Sequence, residues 1–168
     1  MAIINVAKEN NVELSLINSV ITSNKLRKTK MAEKISAIFN GEIKDKKIAL
    51  LGLAFKAGTD DIRYSPAITI AKELAKKGAK ISAHDFEAIE NSRKELAEFK
   101  NINFFTDVYE AMKDADLIVI TTEWKNYREL DLEKIKQVVK SRKILDLRNL
   151  FDAKMMKEKG FEYSFIGG

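Results

Sequence analysis

Apolar and polar positions change their period along the chain, and the changes mark out its elements. Over residues 13–39 apolar side chains recur as Ile17, Val20, Ile21, Met31, Ile35 and Ile38, close to the 3.6-residue repeat of a helix. Asn11 stands where an amino-terminal cap belongs, and Asn40-Gly41 supplies a stop. A helix of about 27 residues spans ~40 Å. That exceeds the needs of a small domain, so the segment is predicted to be a connector or an oligomerisation element. From Lys47 to Phe55 the pattern becomes a near-continuous apolar run, predicted to be a strand buried on both faces. Ser65 and Pro66 then read as the cap and first residue of a helix through Ile70 and Leu74 to Lys77, closed by Gly78.

The alternation continues to the end of the chain. Strands are predicted at Lys80–His84, Ile102–Phe105, Leu117–Ile120, Lys143–Leu147 and Glu162–Phe165, with helices around residues 88–99, 108–112, 132–139 and 153–158. Strands alternating with helices imply βαβ crossovers. The predicted fold class is α/β: a doubly wound, mostly parallel Rossmann-like sheet in three αβα layers, preceded by a long connecting helix. The helix occupies residues 13–40 and the sheet domain residues 46–168.

Composition narrows the chemistry. Of 168 residues 45% are hydrophobic, enough for a core. Cysteine is absent and His84 is the single histidine, which excludes disulfides, thiolate metal sites, a cysteine nucleophile and a histidine-rich metal site. No catalytic residue and no metal ligand is expected within this sequence. The net charge of +5 suits a phosphate-bearing ligand but specifies none. A nucleic-acid surface would interleave basic and aromatic residues. The densest basic run, Lys25 to Lys30, holds no aromatic and reads as a solvated helix face. No apolar run approaches the roughly 20 residues of a membrane span, and the first residues lack the pattern of a signal peptide. Neither nucleic acid nor membrane is expected as a partner, and the location expected is the cytoplasm.

In sheets of this kind ligands lie beyond the carboxyl ends of the strands. Four segments fall there: residues 52–63, 84–85, 121–127 and 146–149. The first has two glycines too far apart for a G-x-G-x-x-G fingerprint, so a standard NAD site is not expected, and Asp85 is read as structural. Lys56 can present an ammonium to a phosphate or sugar oxygen. Arg63 can reach a ligand, or pair with Asp60 or Asp61 in a loop salt bridge; spacing alone leaves both open. His84 is assigned to the core or its rim, Trp124 to a loop anchor, and Phe104 and Phe105 to the core. Arg148 points at the same crevice as Lys56.

Several segments together resemble the UDP-glucose/GDP-mannose dehydrogenase family. They are Gly52 to Lys56 with Thr59 to Arg63 and Ser65-Pro66-Ala67; Thr122-Glu123-Trp124 with Tyr127-Arg128 and Leu130-Asp131; Asp146 to Asn149; and Gly160-Phe161 with Tyr163 and Ile166-Gly167. The helix 13–40 is similar to that family's central helix. The resemblance implies oxidation of a nucleotide sugar's primary alcohol to a carboxylate by two hydride transfers to NAD. It places the catalytic cysteine and the NAD fingerprint on an amino-terminal half. Residues 1–12 are then the tail of that half, Met1 the start of a fragment, and residues 46–168 a nucleotide-sugar (UDP) binding domain. The fragment alone is expected to be inactive. By resemblance, Phe55, Lys56 and Arg148 contact substrate, Arg63 contacts NAD held mainly by the other half, and the helix 13–40 pairs two copies as a homodimer. UDP-glucose is preferred as substrate over UDP-N-acetylmannosamine and GDP-mannose; a stand-alone nucleotide-sugar binding module is the alternative. The chain departs from the family at Leu147 (usually glycine), Tyr64 (often glutamate), Phe86 (usually proline) and Gly168 (arginine). Ala57-Gly58 is closer to the GDP-mannose branch.

Overall fold

The computed structural model describes residues 14–167 together with Val6 and Asn10. The expected cap at Asn11, the helix start at Glu13 and nearly all of the tail 1–12 lie outside these residues. The leading helix, α1, runs Ser15–Ala37 with Leu14 in the N-cap position and no side-chain cap. It stops at Ala37, just before the expected Asn40-Gly41 signal, where Gly41 takes φ +84° and its N–H donates back to the Ser36 carbonyl at 3.0 Å. Its apolar stripe is buried only near this end, through Ala32 and Ile35. Leu16, Val20 and Leu26 are 78%, 54% and 55% exposed.

The remaining elements follow as β1 Lys47–Leu51, α2 Pro66–Lys76, β2 Lys80–His84, α3 Ile89–Glu95, β3 Ile102–Phe105, α4 Val108–Met112 and β4 Leu117–Ile120. Then come α5 Lys125–Arg128, α6 Leu132–Val138, β5 Lys143–Asp146, α7 Ala153–Glu158 and β6 Glu162–Phe165. The six strands form one sheet in the order β3-β2-β1-β4-β5-β6, and every neighbouring pair is parallel. The chain builds outward from β1 through β2 and β3, then returns to lay β4 on the other side of β1. The crevice between β1 and β4 is therefore the point where the connections diverge. Both central strands are buried along nearly their whole length, which accounts for their unbroken apolar sequences.

Three local outcomes differ from the sequence reading. β1 stops at Leu51 rather than Phe55 because Gly52 turns the chain at φ +97°. Only glycine fits there: a Cβ would sit 2.5 Å from the Thr122 Cβ and 2.6 Å from its backbone nitrogen. Phe104 and Phe105 lie on edge strand β3 and are half-buried rather than central. The four-residue α5 falls where the sequence predicts no helix, since four residues carry no readable period. Ser65 and Pro66 behave as expected, with the Ser65 hydroxyl accepting from the Ala67 N–H at 3.2 Å. Among the described residues no helix is long and apolar enough to cross a membrane. No cluster of three or more histidine, aspartate or glutamate side chains forms among them either.

Candidate functional site

The carboxyl edge of the sheet is organised around two buried carboxylates. Asp85, 1% exposed at the end of β2, accepts five hydrogen bonds. Its Oδ2 takes the N–H groups of Leu53 (2.6 Å) and Ala54 (3.0 Å) and the Trp124 indole Nε1 (3.2 Å). Its Oδ1 takes the N–H groups of Glu87 (2.9 Å) and Ala88 (3.0 Å). One side chain thereby fastens together the loops that follow β1, β2 and β4. The same acid would bind ribose in a dinucleotide site; here both oxygens are committed to protein donors. Asp146, fully buried at the end of β5, does similar work. It accepts from the N–H groups of Arg148 (2.9 Å) and Leu150 (2.7 Å) and from the Tyr163 hydroxyl (2.7 Å). Burial, together with this hydrogen bond to a carboxylate, pushes the Tyr163 phenol well above its ordinary range.

Threonines lock the β1 and β4 loops to each other. The Thr121 hydroxyl reaches the Leu51 and Gly52 carbonyls, and the Thr122 hydroxyl donates to the Ala54 carbonyl at 2.7 Å. His84 is buried with its Nδ1 2.9 Å from the Tyr127 hydroxyl. Desolvation lowers its pKa, outweighing the opposite pull of Asp85. Phe86, 39% exposed, covers this pair and Trp124, with ring centroids 4.9–5.2 Å apart. His84 and Trp124 therefore sit in the core and loop-anchor positions read from the sequence.

On this frame stand the four residues singled out as ligand contacts. Phe55, 52% exposed, and Lys56, exposed, leave the end of β1. The Lys56 ammonium makes no hydrogen bond or ion pair with the described residues; its carbonyl accepts from the Thr59 hydroxyl at 3.1 Å. Arg63 pairs with Asp61, not Asp60, and does so through two parallel bonds, Nε to Oδ1 and Nη2 to Oδ2, both 2.9 Å. Hydrogen bonds from Arg63 bring the Asp61 carboxyl down to about 2. Asp60 is held instead by Asn91 of α3, which donates to its carbonyl at 3.1 Å and its carboxylate at 3.0 Å. Arg148, on the loop after β5, forms an ion pair with Glu123 on the loop after β4. This pairing spans loops distant in sequence, and no local pattern predicts it. Leu147 turns inward and is only 9% exposed, so it fills the core beneath Arg148 and leaves that side chain 40% accessible.

The carboxyl edge thus presents Lys56 at the end of β1 and Arg148 after β5, one strand beyond β4, with Phe55 exposed next to Lys56 and Arg63 on the same loop. This arrangement can bind oxyanions and cover an apolar ligand face. The β1–α2 turn cannot cradle a whole dinucleotide: Gly52 is pressed against Thr122, and Asp85 is consumed. Arg63, exposed and paired on one edge with Asp61, can present its other edge to an oxyanion.

The architecture has counterparts among solved structures. A UDP-glucose dehydrogenase from the hyperthermophilic archaeon Pyrobaculum islandicum superposes with a TM-score of 0.75 at 23% identity, covering 97% of this chain and 34% of its own. A ternary complex of GDP-mannose dehydrogenase from Pseudomonas aeruginosa gives a TM-score of 0.69 at 23% identity, covering 98% and 36%. The fold is that of a Rossmann-like domain found within nucleotide-sugar dehydrogenases. More narrowly, residues 49–153 match the UDP binding domain of the UDP-glucose/GDP-mannose dehydrogenase family, and the chain belongs to that family. It is 43% identical over 167 residues to the UDP-glucose 6-dehydrogenase of Rickettsia prowazekii, and 36% identical over 166 residues to UDP-glucose 6-dehydrogenase TuaD of Bacillus subtilis. In both, 99% of this chain is covered, against 38% and 35% of the relative. The chain therefore spans little more than a third of the length of these curated relatives.

Proposed function

We propose that this chain is the nucleotide-sugar-binding part of a UDP-glucose 6-dehydrogenase, an enzyme that oxidises UDP-glucose to UDP-glucuronate in the cytoplasm. The observation that carries the reading is Lys56. Its ammonium stands at the carboxyl end of β1, beside the β1/β4 crevice, unpaired with protein among the described residues, in a chain so similar to enzymes of that name. Lys56 and Arg148 hold the substrate's phosphates and sugar, and Phe55 covers its apolar face. Binding displaces Glu123 from Arg148 or shares the guanidinium with it. NAD, held mainly by a companion amino-terminal half, would supply the hydride acceptor for each of the two oxidations from alcohol to carboxylate. Arg63 reaches across to that cofactor. The chain by itself binds ligand but does not oxidise it, since it has no cysteine to hold the aldehyde-level intermediate. The exposed stripe of α1 pairs with a second copy across a two-fold axis.

Calorimetric titration of the chain with UDP-glucose, UDP, GDP-mannose and NAD in parallel tests this. Uridine ligands are expected to bind, GDP-mannose more weakly, and NAD most weakly, through Arg63. Lys56→Ala removes a charged hydrogen bond of about 1.5–3 kcal/mol, a loss of roughly 10- to 150-fold in affinity. Uridine binding that is unchanged in a folded Lys56→Ala variant removes Lys56 from the site. NADH formation from UDP-glucose by the pure chain refutes the division of labour.

A further inference from the structure

Residues 55–64, which carry Phe55, Lys56 and Arg63, form no regular element, yet they are fastened from two directions. Asp61 is the inner tie. Its carbonyl accepts from the Phe55 N–H at 2.7 Å, and its carboxylate takes three donors from Arg63: the main-chain N–H, Nε and Nη2, each at 2.9 Å. A carboxylate on the Nε–Nη2 side of a guanidinium leaves the opposite edge, Nη1 with the second Nη2 proton, for another oxyanion. That side chain is 81% exposed.

The outer tie comes from α1. Tyr64 adopts φ +62°, the left-handed region that a non-glycine residue occupies only under strain. Its carbonyl accepts from the Lys28 ammonium at 2.6 Å, across 36 residues of sequence. Burial lowers the Lys28 pKa, so the ammonium stays there at some cost in hydration. A strained aromatic residue and a partly desolvated cation meet directly behind Arg63. Neither is needed to close the turn, because the Ser65 N–H already donates to the Ile62 carbonyl at 3.0 Å.

We propose that Asp61 and Lys28 are positioning residues for Arg63: Asp61 turns the free guanidinium edge outward to meet a diphosphate, and Lys28 fixes the Tyr64 turn behind it, so that α1 and the diphosphate contact move together. The proposal deepens the reading of Arg63 given above and rests on it. It also assigns a role to the basic run of α1, in which Lys28 is half-buried while Lys25, Arg27 and Lys30 are exposed.

The test uses the isotope-labelled 168-residue chain with Lys28→Met, Lys28→Arg and Asp61→Asn, first without ligand. Amide hydrogen exchange at Arg63 and Ser65 is expected to quicken at least about tenfold in Lys28→Met and Asp61→Asn, with β1 amides unchanged and Lys28→Arg close to wild type. Inorganic pyrophosphate is then titrated while the Arg63 side-chain Nε–H signal is followed. Wild type is expected to shift and saturate, and Lys28→Met and Asp61→Asn to bind several-fold more weakly. Unchanged exchange in both variants, with the pyrophosphate response of Arg63 intact, overturns the positioning role and leaves the ligand reading of Arg63 standing. A wild-type Arg63 signal that ignores pyrophosphate overturns that reading and the proposal with it.

Discussion

Replacing Asp85 by asparagine is expected to destabilise the fold substantially. Two carboxylate oxygens serve five donors, three on Oδ2 and two on Oδ1. An asparagine has one acceptor oxygen. Its better orientation keeps Leu53, Ala54 and Trp124 satisfied and turns an NH2 group toward the N–H groups of Glu87 and Ala88. Each buried donor left unpaired costs about 1–3 kcal/mol; Glu87 is only partly buried and falls at the low end. The three remaining bonds also lose the assistance of a full negative charge. The sum is about 3–5 kcal/mol, a large share of the ~5–15 kcal/mol that holds a domain folded. At roughly 2–4 °C per kcal/mol for a chain of this size, the thermal midpoint falls by about 6–20 °C. Urea denaturation of wild type and Asp85→Asn gives the free energy directly. A loss under 1 kcal/mol, at unchanged slope, refutes the idea that this carboxylate ties the three loops. Because Leu53 and Ala54 lead into Phe55 and Lys56, uridine-nucleotide affinity is expected to fall in the same variant.

Gly52→Ala is expected to lose about 2–4 kcal/mol, since the added carbon collides with Thr122 and the positive φ disfavours it; an unchanged urea midpoint contradicts this. His84 stays neutral in the fold at pH values where an unfolded imidazole, with its ordinary pKa of 6.5, takes up a proton. The unfolded chain then binds more protons, so stability is fully present above that value and is lost as pH falls through the lowered native pKa. Denaturation midpoints measured between about pH 7.5 and 5 should show this loss, and His84→Gln should flatten it. Substituting both Val20 and Ile21 with glutamate is expected to convert a dimer of the chain into a folded monomer in sedimentation, because unpaired carboxylates are costly to bury. A wild-type chain that sediments as a monomer at tens of micromolar rules out pairing through α1.

Much of the fold was legible because parallel strands buried on both faces leave unbroken apolar runs, as in Leu117 to Ile120, and because Ser65-Pro66 and Asn40-Gly41 are specific stop and start signals. The apolar sequence through Gly52 to Phe55 predicts too long a β1, because it conceals a backbone turn packed against Thr122, a contact remote in sequence. The short α5 leaves no period to read; its Tyr127 is buried, with the hydroxyl 2.9 Å from the His84 Nδ1. At the candidate site, residue type and position marked Lys56 and Arg148 as edge cations. Nothing local could choose Asp61 over Asp60 for Arg63: the choice depends on Asn91 holding the other acid. The Glu123–Arg148 pair was equally hidden, because it joins loops from neighbouring strands whose adjacency is a property of the whole sheet.

The placement of β1 between β2 and β4 also has a kinetic consequence. Its second edge is filled by a strand some 70 residues downstream, as the bond from the Thr121 hydroxyl to the Leu51 carbonyl illustrates. During synthesis β1, β2 and β3 can pair as soon as they emerge, but β1 then offers a row of unpaired N–H and carbonyl groups along an apolar strand until β4 arrives. Such an edge is a template for the wrong chain. A partly made chain, with β1 to β3 paired and β4 still to come, therefore exposes an edge that the finished protein covers.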